Sequence, residues 1–189
     1  MLRSQKILKI LLIGDGAVGK TALRERFLGQ GFKTDYLMTV GADFAIHKYE
    51  SDKHGSVKLQ IWDLAGQSHF SSVRPPFYQG AAGVVLVFDV TNLETIENTQ
   101  DWMREALKYI GKPVPFGFIG NKIDIREKGN KAHITKVRGR RILKKVQKDF
   151  KLSKFPFVYF ETSAKTGENV EDAFVAITET ILDPVSSKK

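Results

Sequence analysis

Cysteine is absent from the 189 residues. That excludes a disulfide framework and a thiolate metal site, and it fits a reducing compartment. Histidine is scarce, at four residues, and the four lack the short spacings of metal ligands. No apolar run approaches the roughly 20 residues that span a bilayer as a helix. The N-terminal MLRSQKILKILLIG is too short, and too interrupted by Lys6 and Lys9, to read as a signal peptide. Internal repeats are missing, and so is any linker that would mark a second domain. The expectation is one domain over residues 1–183, with 184–189 as a short frayed tail.

Acid excess is missing too. The formal net charge is +9, and its placement is uneven. Residues 131–154 hold ten Lys/Arg and a single acid, Asp149, so this stretch carries the whole excess and the remainder is neutral.

What is present is an alternation. KILKILLI (6–13), GVVLVFDV (83–90), VPFGFIGN (114–121) and FPFVYFET (155–162) are apolar runs of strand length. ADFAIHKYE and VKLQIWD flank SDKHGS and predict a hairpin with Gly55 in its turn. VGKTALRERFL (18–28), LETIENTQDWMREALKYI (93–110) and NVEDAFVAITETIL (169–182) read as helices, the last with Val170, Phe174, Ile177 and Ile181 on one stripe. Strands alternating with helices predict an α/β domain with a mostly parallel six-stranded sheet and helices on both faces.

Four short words carry the chemistry. Gly14, Asp15, Gly16, Ala17, Val18, Gly19, Lys20 and Thr21 fit G-x-x-x-x-G-K-[ST] between a strand and a helix. Glycines let backbone N–H groups curl around an anion, and the following helix adds its positive end. Lys20 would reach the β- and γ-phosphates, and the Thr21 hydroxyl would ligate Mg2+. The blander alternative is a Gly-rich turn. In WDLAGQ (62–67), Asp63 ends a strand and can hold Mg2+ through water, Gly66 can offer its N–H to a γ-phosphate, and Gln67 can orient a water. In NKID (121–124), the Asp124 carboxylate can accept from guanine N1–H and the exocyclic amine, which adenine cannot offer. Asn121 can tie this loop to the phosphate loop, and the Lys122 stem can cover the ring. In ETSAK (161–165), the Ala164 N–H can donate to guanine O6 and Ser163 can brace Asp124.

The four words stand in order, each after a predicted strand. Together they resemble the Ras superfamily of small GTPases over about residues 6–182, with TVGADF followed by WDLAGQ closest to the Rab branch. The resemblance implies a P-loop NTPase fold, GTP/GDP and Mg2+ as ligands, and slow GTP hydrolysis that cycles two loops between ordered and relaxed states. It assigns catalysis to Gln67, Lys20 and Thr39 and extends the nucleotide-binding set with Ala22, Phe32, Tyr36 and Lys165. Thr39 becomes a Mg2+ ligand beside Thr21 and Asp63. It also implies an exchange factor, an activating protein and effectors, read through Phe44, Trp62 and an aromatic at Phe77 or Tyr78; core packing is the alternative role for those rings. No arginine stands in the catalytic words, so unaided turnover should be slow. Gly16 leaves room for a partner's arginine.

Departures are visible. Leu64 replaces the usual Thr, and Ser68–His69 replace an acid and a base. Without cysteine, and with Leu2 where myristoylation needs glycine, the chain as written has no lipid anchor; a removed lipidated tail stays open. The 38 residues between Asp124 and Ser163 exceed the family's habit. There Ile142, Val146 and Phe150 should share an apolar face, with Lys136, Arg140, Lys144, Lys148 and Lys151 on another. Lys136 to Lys154 could be a solvated face or could meet an anionic membrane or an acidic protein; nucleic acid is disfavoured for want of interleaved aromatics. A cytoplasmic monomer, peripheral to a membrane by electrostatics, is the expectation. The functional alternatives are a non-hydrolysing guanine-nucleotide binding module and a P-loop protein acting on another substrate.

Overall fold

A computed structural model describes residues 6–32 and 38–184. Its strands are β1 Lys6–Ile13, β2 Ala42–Ser51, β3 Gly55–Leu64, β4 Gly83–Asp89, β5 Phe116–Asn121 and β6 Val158–Glu161. Its α-helices are α1 Lys20–Phe27, α2 Pro75–Tyr78, α3 Leu93–Glu97, α4 Thr99–Ile110, α5 Lys136–Asp149 and α6 Val170–Leu182. They build one sheet in the order β2-β3-β1-β4-β5-β6. Among the described residues only β2 runs antiparallel, against β3; the other pairs are parallel.

Alternation along the central strands produces two cores. Leu11, Ile13, Val84, Leu86 and Phe88 meet Tyr78, Met103, Leu143 and Val146 on one face. Leu8, Ile10, Leu12, Val85 and Val87 meet Leu23, Phe174, Ile177 and Ile181 on the other. The middle strand β4, GVVLVFD, is buried at every position, as a parallel strand covered on both faces must be. Among the described residues, no helix is long and apolar enough to cross a membrane.

Boundaries differ from the sequence reading for local reasons. The first helix begins at Lys20, not Val18, because Gly19 takes a left-handed conformation (φ 98°). The stretch 93–110 is two helices meeting at Asn98; the Thr99 hydroxyl donates to the Ile96 carbonyl at 2.6 Å across the junction. Pro115 and Pro156 delay β5 and β6, since neither can donate to a ladder.

On α5 the buried seam is Gly139, Leu143, Val146 and Gln147. Ile142 and Phe150 pack only partly against the core, so the expected Ile142–Val146–Phe150 face is rotated. Gly139 is the cause. A Cβ there would stand 2.6 Å from the Tyr159 hydroxyl, so glycine lets the helix seat on that side.

The register aligns the carboxyl ends. Leu12 pairs with Asp63, Asp89 with Asn121, and Gly120 with Glu161. The strand order reverses direction at β1, and that is where an open α/β sheet presents its ligand crevice.

Candidate nucleotide site

The loop after β1 is held in a cradle. Gly19 is packed so closely on Asn121 that a Cβ would overlap the Asn121 amide. Ala17 adopts φ 60°, a strained conformation of the kind that gathers at functional sites. Asn121 donates to the Val18 carbonyl at 2.9 Å, joining this loop to the end of β5. Lys20 is buried, and its Nζ donates to the carbonyls of Gly14 (2.8 Å) and Asp15 (2.7 Å). Burial pushes Lys20 down to about 8, a shift that Asp63 and Asp15 only partly offset. The Asp15 side chain points away, accepting from Asn98 (2.9 Å) and Trp102 Nε1 (2.7 Å).

Three oxygens converge beside Lys20. Thr21 Oγ1 donates to Asp63 Oδ2 at 2.5 Å, and Thr39 Oγ1 lies 3.2 Å from Thr21 Oγ1 and 3.3 Å from Asp63 Oδ2. Asp63 Oδ1 is buried with no hydrogen-bond partner among the described residues. Burial pushes the Asp63 carboxyl up, against the Thr21 hydrogen bond and the Lys20 charge. A carboxylate that meets two hydroxyls through one oxygen and leaves the other orphaned fits a hard divalent cation that completes its shell with water and phosphate oxygens, the habit of Mg2+.

Gly66 and Gln67 close the same end. A Cβ on Gly66 would overlap the Asp15 carbonyl, and would stand 2.5 Å from Lys20 Nζ, so only glycine fits. A Cβ on Gly16 would make ordinary contact with Gln67, at 3.4 Å.

The other end is built on β5 and the loop after β6. Ser163 Oγ donates to Asp124 Oδ1 at 2.6 Å. Asn121 Oδ1 accepts from Ala164 N–H and Thr162 Oγ1, both at 3.1 Å. Lys122, at φ 71°, pairs with Asp89 at 2.6 Å, which fixes its stem along the cavity wall. Between the two ends runs a cavity of about 470 Å³, lined by Gly16, Ala17, Gly19, Lys20, Thr21, Ala22, Phe32, Thr39, Gly66, Gln67, Asn121, Lys122, Asp124, Ala164 and Lys165. Glu25 and Ile125, which the sequence did not single out, line it too. Gly14, Asp15, Val18, Asp63 and Ser163 stand behind this lining rather than in it. Tyr36 lies outside the described residues.

A family model described as the Ras family matches residues 9–183. The chain belongs to the Ras family. Within it the likeness is to Rab proteins. The chain is 37% identical over 182 residues to Ras-related protein Rab-8B of Homo sapiens, covering 96% of this chain and 82% of that one. It is 37% identical over 184 residues to Ras-related protein Rab-10 of Diplobatis ommata (97% and 85% covered). It is 39% identical over 185 residues to Ras-related protein Rab7 of Glycine max (96% and 85%). It is therefore a Rab-like small GTPase, a guanine-nucleotide switch that works with Mg2+ and hydrolyses GTP.

Two features of this GTPase escaped the sequence reading. One is the support behind the site. Arg74, 3% exposed, reaches the carbonyls of Ala65 (3.2 Å) and Gln67 (3.0 Å) and forks onto Glu105. Arg26 holds the Ala164 and Lys165 carbonyls at 2.9 and 2.5 Å. The other is the choice of aromatics. Phe44 stacks on Trp62 (ring centroids 4.8 Å apart), and Phe77 lies 5.9 Å from Trp62. Tyr78 does not join them. It is fully buried, and its hydroxyl donates to Glu105 at 2.8 Å, so of the two candidate rings only Phe77 stands beside Trp62.

Proposed function

We propose that GTP lies along the cavity with its phosphates at Lys20 and its base at Asp124. The observation that carries this reading is the bracing of both ends by one residue. Asn121 donates to Val18 in the phosphate loop and accepts from Ala164 in the base loop, which sets the span between them.

The backbone amides of Gly14 to Gly19 wrap the β-phosphate, with Ala22 in the first turn of α1 flanking the α-phosphate. Lys20 gives up its two carbonyl partners for phosphate oxygens, and its displaced proton affinity returns beside the new anion. Thr21, Thr39 and Asp63 would hold Mg2+, which would neutralise charge on the phosphates. Gly66 N–H meets the γ-phosphate, and the Gln67 amide orients a water for in-line attack. The bond broken joins the γ-phosphorus to its bridging oxygen, and GDP carries the electrons away. Asp124 and Ala164 N–H read guanine, while Phe32, Lys122 and Lys165 flank the base and ribose.

Unaided turnover is slow on this reading. Among the described residues no arginine lines the cavity. Arg24, Arg26 and Arg74 are engaged by Asp43, by the Ala164–Lys165 carbonyls and by Glu105 respectively. An activating protein supplies the missing cation past Gly16, an exchange factor opens the site, and effectors read Phe44, Trp62 and Phe77. Thr39, Asp63 and Gln67, gathered around Lys20, favour hydrolysis over a silent binding module.

Single-turnover GTP hydrolysis by the wild type and by Gln67→Leu tests this. The variant should slow phosphate release roughly tenfold to a hundredfold with GDP affinity unchanged. An equal rate in the two proteins overturns the role given to Gln67.

A further inference from the structure

The cationic excess is displayed on a single helix. α5 turns Gly139, Leu143, Val146 and Gln147 into the core. Arg140, Arg141, Lys144, Lys145 and Lys148 all face solvent. At about 100° per residue they sweep roughly 140° of the helix circumference, along about 12 Å of its length. Among the described residues none of the five is paired with a carboxylate. Val137, 79% exposed, projects in the same direction from the turn before Arg140.

The helix is also far from the aromatic surface. α5 joins β5 to β6, whereas Phe44 and Trp62 are on β2 and β3. β2 and β6 are the two edges of the six-stranded sheet, about 24 Å apart at normal strand spacing. A partner on α5 leaves Phe44, Trp62 and Phe77 uncovered.

We infer that the α5 face docks this GTPase on an anionic lipid bilayer, with the β2–β3 edge turned away from the lipid. Three observations favour lipid over an acidic protein or a nucleic acid. The cations form a broad arc on a convex helix flank, which suits a plane of diffuse charge better than a few fixed carboxylates. The exposed Val137 puts an apolar side chain at the N-terminal end of the arc, and long Lys and Arg stems can lie on an interface with their heads among phosphates. Phe157, a partly buried ring beside the arc, is already flanked by Arg140 (5.4 Å) and Lys144 (5.7 Å), so it is poorly placed to stack on a base. α5 contributes nothing to the cavity lining, so docking is independent of the bound nucleotide.

The inference rests on charge and topology and not on the catalytic assignments. Its test is vesicle flotation of the full chain, loaded with GDP or a non-hydrolysable GTP analogue. Vesicles of phosphatidylcholine alone are compared with vesicles containing phosphatidylserine, at low and physiological salt. The expected result is flotation with phosphatidylserine only, weakened by salt and equal in the two nucleotide states. The triple variant Lys144→Glu, Lys145→Glu, Lys148→Glu should lower partitioning by on the order of a hundredfold while GTP hydrolysis and melting temperature stay unchanged. The corresponding Lys→Gln triple should show a smaller loss. Flotation undiminished in the charge-reversed protein overturns the inference. So does the absence of flotation in both states, including the case where the protein is instead retained on polyglutamate or single-stranded RNA.

Discussion

Arg74 holds Gln67 from behind. Its Nη1 donates to the Gln67 carbonyl at 3.0 Å, while Nε and Nη2 grip the two Glu105 oxygens at 2.7 and 2.8 Å. The guanidinium lies over the Trp102 ring at 4.4 Å, and Trp102 in turn donates to Asp15 of the phosphate loop. Trp102 and Glu105 both belong to α4. One helix therefore serves as the common reference for the residue placed to orient water and the loop placed to hold phosphate.

Replacing Arg74 by Lys keeps the charge and removes the fork. The expected outcome is a GTP hydrolysis rate lowered about tenfold, as for a displaced positioning group, with GDP affinity within about twofold of wild type. Stopped-flow nucleotide binding and single-turnover hydrolysis check the split. Equal losses in rate and affinity would mean that Arg74 only supports the fold.

Much of the site is legible in the sequence because its chemistry is local. Gly19, Lys20 and Thr21 are neighbours, and Asn121 and Asp124 share one turn. The supports are not legible. Arg74–Glu105, Asp15–Trp102 and Arg26–Ala164 join residues separated by 31, 87 and 138 positions. Each is a polar residue that any surface could hold until packing shows its partner. Phe77 and Tyr78 are adjacent on a four-residue helix, too short for a periodicity to say which one faces inward. Apolar residues alone misphase the α5 seam, because a glycine and a glutamine sit in the contact.

Asp124→Ala removes the acceptor proposed for guanine and the acceptor of the Ser163 hydroxyl, which keeps only the Thr166 N–H. Two charge-assisted hydrogen bonds are lost. GDP affinity should fall by on the order of a hundredfold to a thousandfold, while the weak affinity for ATP stays where it was. Competition against a labelled GTP analogue measures both.

Gly66→Ala places a methyl group against Asp15 and Lys20. The loop must then stand off from the phosphate end. GDP should bind within a few-fold of wild type, the preference for a GTP analogue should shrink, and hydrolysis should fall by roughly a hundredfold. Parallel titrations with the two nucleotides show whether the loss is confined to the triphosphate.

The Lys20 environment predicts a pH dependence. Burial lowers its folded-state value from 10.5 to about 8, so a nucleotide-free site is protonated below that pH and loses the proton above it. Phosphate binding needs the charged form. GDP affinity should be flat below about pH 8 and should weaken above it, by up to about tenfold per unit. The folding of the nucleotide-free protein moves the other way. Between about 8 and 10.5 the unfolded chain binds more protons, so stability rises with pH across that window. Calorimetric titration across the range checks the first statement, and thermal melts of nucleotide-free protein check the second. Lys20→Met should flatten both curves.

Hydrogen exchange in the two nucleotide states is the most direct test of a switch. Protein loaded with a non-hydrolysable GTP analogue should protect amides in residues 38–41 and 65–73 that exchange freely with GDP bound. α5 should show the same protection in both states. Identical exchange at 38–41 and 65–73 with the two nucleotides would contradict the account, because nothing would then distinguish the state before hydrolysis from the state after it.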